Sequence, residues 1–149
     1  MEILTQLEKD YLQAFKEKNE LVLLVLRGLK TAITNAEIAK NRQALTGDEL
    51  IKLLKTEVKR RKEAAEMYQT GNRPDLAEKE TKEIEVIVKY LPAELSEEDV
   101  KQKISQVIAQ VGATSPADTG KVMGLVMKEL GSMADGNVVS RLVKAELFQ

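Results

Sequence analysis

Residues 115–147 read SPADTGKVMGLVMKELGSMADGNVVSRLVKAEL, and the spacing of apolar residues in this stretch decides the fold. Ser115 stands where it can N-cap a helix, Pro116 occupies the first helical position, where a missing N–H costs nothing, and Asp118 follows three residues after the cap. Val122, Met123, Val126, Met127 and Leu130 then recur at helical spacing, with Lys121, Gly124 and Lys128 on roughly the opposite side. Two cations thus flank a bare patch of backbone. The pattern stops around Gly131–Ser132, Asp135 offers a second N-cap, and Val138, Val139, Leu142, Val143 and Leu147 form the face of a closing helix.

Working upstream, Ser96 with Asp99 marks another helix start, and Leu95 and Val100 are spaced as a hydrophobic staple. Val100, Ile104, Val107, Ile108 and Val111 give that helix, residues 97–111, its apolar face. Leu91-Pro92 ends the helix before it, because a residue preceding proline is pushed out of the α region. That earlier helix carries Leu76, Ile84, Ile87, Val88 and Leu91, with Glu78/Lys82 and Glu85/Lys89 pairs on its surface. Thr46 and Glu49 form a capping box ahead of a third helix bearing Leu50, Leu54, Val58, Ala65 and Tyr68, which ends near Gly71. Two further stripes precede it. Ile3, Leu4, Leu7, Tyr11, Ala14 and Phe15 make the first, and Leu21, Val22, Val25, Leu26, Leu29, Ala32, Ile33 and Ala36 the second. The second also carries Leu23 and Leu24 on its other side, so its first turns are expected to be buried all round. The expectation is an all-α protein: a four-helix N-terminal domain, 1–92, and a three-helix C-terminal domain, 93–149, small enough that docking on the first part is expected.

With 43% hydrophobic and 32% charged residues, the 149-residue chain reads as soluble and globular. It has neither Cys nor His, which removes disulfides, thiolate metal sites and the commonest general base. The longest apolar run, Leu21–Leu26, is far short of a membrane span, and Met1 leads straight into an amphipathic helix with no cleavable signal pattern, so a cytoplasmic location is expected. Net charge is −1, and Lys/Arg balance Asp/Glu at 17 to 16 up to residue 92 and 6 to 8 beyond it. No region is strongly basic. Any nucleic-acid contact has to be local or assisted.

Gly120-Lys121 is not a phosphate loop, because a Walker A motif needs a glycine five residues earlier and Ser or Thr after the lysine, where Ser115 and Val122 stand. Nothing in the sequence points to a catalytic residue, a metal ligand or a cofactor site. Lys52, Lys55, Lys59 and Lys62 share one side of the third helix as a possible basic face, or simply a solvated one partly balanced by Glu63 and Glu66. Glu57 and Arg61, four apart and toward the apolar side, read as a half-buried intrahelical pair. Glycine costs about 1 kcal/mol relative to alanine inside a helix, so Gly120 and Gly124 each need a reason. For Gly120, nearer the core side, close helix packing is the reading adopted. For Gly124 two readings stay open: close packing, or a gap between two lysines through which a phosphodiester backbone can approach.

Asp118-Thr-Gly-Lys-Val-Met-Gly124-Leu-Val-Met127 followed by Ala134-Asp135-Gly136 resembles the signature of the YqeY family. The resemblance extends to Leu26-Arg27, to Asp75-Leu-Ala-Glu-Lys-Glu80 and to Tyr90-Leu-Pro-Ala-Glu-Leu-Ser96, nearly the whole chain. That family shares its C-terminal module with the tail of the B subunit of the glutamine-dependent aspartyl/glutamyl-tRNA amidotransferase, and a similar module is appended to some glutaminyl-tRNA synthetases. The resemblance implies an accessory, RNA-holding role, with carbon–nitrogen ligation from glutamine as the reaction of relatives rather than of this chain alone. By that analogy Lys121, Gly124, Lys128, Ala134, Asp135 and Gly136 would face RNA. Ser132 and Met133 stand where the family tends to carry Gly and a basic residue. The partners implied are tRNA, a tRNA-charging enzyme or an amidotransferase, with no membrane; the alternative is a protein–protein adaptor with no RNA contact. The oligomeric state is left open.

Overall fold

The computed structural model describes residues 2–148, including every side chain in that span except that of Ser132. Met1 and Gln149, the outermost residues of the two expected domains, lie outside the described residues, as does the reading placed on Met1. All regular structure among the described residues is helical: α1 Glu2–Glu17, α2 Glu20–Ala39, α3 Gly47–Thr70, α4 Pro74–Val88, α5 Glu97–Val111, α6 Thr119–Leu130 and α7 Gly136–Leu147. Single 3₁₀ turns cover Pro116–Asp118 and Gly131–Met133. The all-α expectation holds. The chain divides into two compact units, Met1–Leu91 and Pro92–Gln149.

In the first unit the chain leaves α1 through Lys18 at φ 57°, and the Asn19 side chain accepts the Val22 N–H to start α2. Asn41 and Arg42, at φ 57° and 64°, turn it again after α2. The Thr46 hydroxyl then accepts the Glu49 N–H at 3.2 Å, while the Glu49 carboxylate accepts the Thr46 N–H at 2.8 Å and Lys40 Nζ at 2.7 Å. The capping box read from the sequence is therefore closed from both sides, with a cation added. Leu26, Leu29, Leu50, Leu54 and Ile87 are the large, fully buried side chains at the centre, and α3 packs along α4. One expectation fails here. The first turns of α2 are not buried all round: Leu24 is 52% exposed, because α1, α3 and α4 cover α2 from one side and leave its outer face open.

The pair read between Glu57 and Arg61 is present at 2.9 Å, with both side chains largely covered. The packing of α3 on α4 adds a third member, Glu83, only 8% exposed, whose Oε1 lies 3.9 Å from Arg61 Nε. Burial raises the Glu83 carboxyl above its ordinary range, and the nearby Glu80 pushes the same way while Arg61 opposes. Elsewhere in this unit the Tyr90 hydroxyl, just past α4, donates to Asp10 on α1. Burial, reinforced by that hydrogen bond, keeps the phenol protonated well beyond its ordinary range.

In the second unit α5 stops at Gly112, whose φ of 66° suits a residue without Cβ. Val100, Ile104 and Val107 of α5, Val122, Val126 and Leu130 of α6, and Val139, Leu142, Val143 and Leu147 of α7 close one core. Leu95 packs against it, and its N–H donates to the Met133 carbonyl at 2.8 Å.

Removing the Arg61 guanidinium takes away the cation that reaches both carboxylates, leaving Glu57 to the exposed Arg60 at 3.6 Å and the buried Glu83 without its ion pair, so Arg61→Ala is expected to cost about 2–4 kcal/mol. Glu83→Gln should leave stability at pH 7 unchanged or raised. A carboxyl whose folded pKa is raised favours folding below its unfolded value and loses that contribution as pH rises through the folded pKa, so a charge on Glu83 opposes folding and Gln, which carries none, does not. Urea unfolding of both variants beside the parent at pH 7 measures this, and an Arg61→Ala midpoint equal to the parent's would mean that the cluster is solvated.

Candidate nucleic-acid interface

Helix α6 begins through the local chemistry of Asp118. Its carboxylate turns back to accept the N–H groups of Thr114 at 3.0 Å and Ser115 at 3.3 Å, while the Thr119 hydroxyl donates to the Pro116 carbonyl at 2.6 Å. These two backbone N–H bonds, the first the stronger influence, hold the Asp118 carboxyl below its ordinary value, and Lys121 adds a smaller pull. The start expected at Ser115 is therefore a 3₁₀ turn over Pro116–Asp118, and the α-helix proper opens at Thr119.

With Val122, Val126 and Leu130 buried, the helical period turns Gly120, Lys121, Gly124 and Lys128 outward, and all four are exposed. Seven residues carry Lys121 to Lys128, about 10.5 Å along the axis and nearly the same side. Neither forms an ion pair among the described residues. The acids nearest in sequence are otherwise engaged, Asp118 with backbone and Glu129 with Lys103 of α5. A Cβ built on Gly124 would meet nothing within 4 Å, so of the two readings kept open for it, close packing within this unit is removed. The same holds for Gly120, and there the adopted reading was wrong: Gly120 is exposed and no neighbouring helix approaches it. The helical period carries Gly120 just past the edge of the apolar stripe, outside the reach of α5 and α7.

The turn after α6 divides its three expected contact residues. Gly131, at φ 55° and ψ −126°, ends the helix in a conformation that side chains resist. Asp135 is exposed and accepts the Asn137 N–H at 2.7 Å as N-cap of α7, and Gly136 is exposed as the first residue of that helix. Ala134 does not face outward as expected. It is 6% exposed and packs into the core with Val126 and Leu130, because the extended residue between two helices points its methyl inward.

The lysines of α3 lie in the other unit. Lys52, Lys59 and Lys62 are exposed and Lys55 is half-buried. Two members of a different cluster escaped the sequence reading: Lys30 Nζ sits 4.4 Å from the Tyr11 ring centre while pairing with Glu8 at 3.0 Å, and Arg27 lies 6.0 Å from the same ring. Tyr11 was legible only as an apolar-stripe residue, since its neighbours come from the next helix. Among the described residues no three His, Cys, Asp or Glu gather as a metal site, and no helix is long and apolar enough to cross a membrane.

Comparison with known proteins adds a family and a correction. The model of a family described as Yqey-like protein matches residues 4–147. The chain is 34% identical over 131 residues to "Altered inheritance of mitochondria protein 41, mitochondrial" of Clavispora lusitaniae, covering 86% of this chain and 74% of that protein. It is 31% identical to the proteins of the same name from Lachancea thermotolerans, covering 78% of this chain and 64% of that one, and from Candida glabrata, covering 96% and 76%. These relatives are named as mitochondrial, which overturns the cytoplasmic expectation. That expectation rested on composition and on Met1, and a helical body of ordinary composition carries no address for a compartment.

Asp118 sets a pH test of the α6 start. A carboxylate with a depressed folded pKa contributes stability above its unfolded value, ordinarily 3.8, and loses it as pH falls through the folded value. The protection factors of the Thr114 and Ser115 amides, exchange rates taken relative to the unstructured chain at the same pH, should therefore fall only below about pH 3.8 in the parent, and should be low at every pH in Asp118→Ala. NMR-detected exchange across an acid titration checks this; slow exchange in the variant would assign the protection to some other group.

Proposed function

The chain belongs to the Yqey-like family, and from that premise we propose that it is an accessory tRNA-binding protein whose C-terminal unit holds RNA while a tRNA-charging or amidotransferase enzyme does the chemistry. The observation that carries the reading is the outer face of α6, where Lys121 and Lys128 are exposed and outside the unit's ion pairs, and Gly124 leaves open backbone between them. Lysines whose charge is not spent on a neighbour can neutralise phosphates, and a bare helix surface lets the strand come close enough for them to do so. Exposed Asp135 and Gly136 would border the contact; Ala134 serves the core. Glutamine-dependent carbon–nitrogen ligation belongs, in this reading, to the partner enzyme. The face has few charges, so binding by the isolated chain is modest and salt-sensitive, consistent with a protein that assists.

A second reading, an adaptor without RNA contact, draws support from the exposed Leu12 and Phe15 on α1 of the first unit. Fluorescence anisotropy of labelled bulk tRNA at low and moderate salt separates the two. RNA holding predicts saturable binding, weakened at least about 10-fold by Lys121→Glu with Lys128→Glu, and a log–log salt slope shallower by about 1.5. Gly124→Leu should weaken binding with the slope unchanged. No binding at low salt removes the RNA reading for this chain.

A further inference from the structure

The outer face of α2 has a composition that its own unit does not explain. Leu24, Arg27, Gly28, Thr31, Thr34, Asn35 and Ile38 follow one another at three- and four-residue spacing, so they form one stripe, and all seven are exposed. In a chain with 32% charged residues these seven hold one charge, Arg27, which already leans on Tyr11 of its own unit, and the next charge along the stripe, Glu20, stands a turn further out at the start of α2. Four of the seven, Gly28, Thr31, Thr34 and Asn35, are poor helix formers at positions where water would accept Ala, Glu or Lys at lower cost. A Cβ on Gly28 would meet nothing within 4 Å, so its missing side chain serves no contact inside the unit. Leu24 and Ile38, at the two ends, are 52% and 56% exposed.

The stripe is also symmetric about Thr31. Gly28 and Thr34 lie three residues either side of it, Arg27 and Asn35 four, Leu24 and Ile38 seven: small, polar, large apolar in both directions. A two-fold, antiparallel contact suits this pattern: residue i of one copy meets residue j of the other and the reverse, so large apolar faces large apolar at the ends and small faces small near the centre. We propose that this face joins two copies of the chain, with α2 antiparallel to its counterpart and the two-fold axis at Thr31. Leu24 then packs on the partner's Ile38, Arg27 reaches the partner's Asn35 carbonyl, and Gly28 admits the partner's Thr34. The same register brings Glu20, exposed at the start of α2, toward Arg42, exposed just past its end on the other copy, a pairing of opposite charges at both ends of the contact. On α1, Glu8 meets Lys30 and Tyr11 meets Arg27, so Phe15, 61% exposed, falls beside the Leu23–Leu24 turn and widens the apolar end. A stripe about 21 Å long and one helix diameter, about 10 Å, wide covers on the order of 200 Å², well below the roughly 800 Å² per partner of a standard interface, so the dimer is weak, with a Kd on the order of 10–100 μM.

The chain has no cysteine, which makes the geometry directly readable. Sedimentation velocity of the full chain between about 1 and 500 μM should show monomer passing to dimer, with Thr31→Glu shifting the transition at least about 10-fold upward at an unchanged melting temperature. Under mild oxidation at about 200 μM, a concentration above that Kd, Thr31→Cys should couple to itself far faster than Glu63→Cys on α3. Leu24→Cys mixed with Ile38→Cys should couple faster than either alone. A chain that stays monomeric at the highest concentration overturns the proposal. So does self-coupling of Leu24→Cys as fast as the mixed pair, which would mean a parallel contact, and so does Thr31→Cys coupling no faster than the control.

Discussion

The short helices of the second unit do not hold their shape alone in water: α6 and α7 have 12 residues each, at or below the length where isolated helices are marginal. Each therefore depends on laying its apolar stripe against a neighbour. In the second unit the burial of Val122, Val126 and Leu130 against α5 and α7 is the contact on which the site depends. It supplies the stability that α6 lacks by itself, for the interior glycine on its outer side, Gly124, gives up about 1 kcal/mol relative to alanine. Because three inward residues are fixed, the outward ones are fixed with them. Lys121, Gly124 and Lys128 face water as a rigid consequence of core packing rather than of any interaction among themselves.

The two units use charge in different ways. In the first, Glu57, Arg61 and Glu83 are drawn into the α3–α4 contact, where water is scarce and each ion depends on its partners. In the second, charges stay outside: Lys103 with Glu129 and Arg141 with Glu97 link α5 to α6 and α7 across the surface, and such exposed pairs add little to stability. They matter to the site for a different reason. By engaging Glu129, the pair with Lys103 leaves Lys128 without its sequence neighbour as a counter-ion. The electrostatics of the α6 face is set as much by where its acids point as by where its lysines stand.

Much of this was legible in order of residues alone. The 3.6-residue period located all seven helices, and Thr46, Ser96 and Asp135 announced helix starts because capping is a local event, confined to four residues. The family resemblance likewise rested on short motifs that the match over residues 4–147 bears out. Lys121, Gly124 and Lys128 could be placed on one outward face for the same reason: face membership within a helix is arithmetic.

What periodicity could not supply was the identity of the neighbour. Gly120 lies near the border of the α6 stripe, and only the positions of α5 and α7 decide that nothing reaches it. Ala134 looked like part of an exposed turn until the fold turned its methyl into the core. Leu24 looked buried until α1, α3 and α4 proved to cover α2 from one side only. Glu83 joined Glu57 and Arg61, and Lys30 reached Tyr11, across gaps of 19 to 26 residues that no local pattern spans. Sequence by itself determined which residues are helical and which way each points from its own axis, since those depend on bonds within a few residues; tertiary structure alone decided what each then meets, since burial is a property of the space between helices.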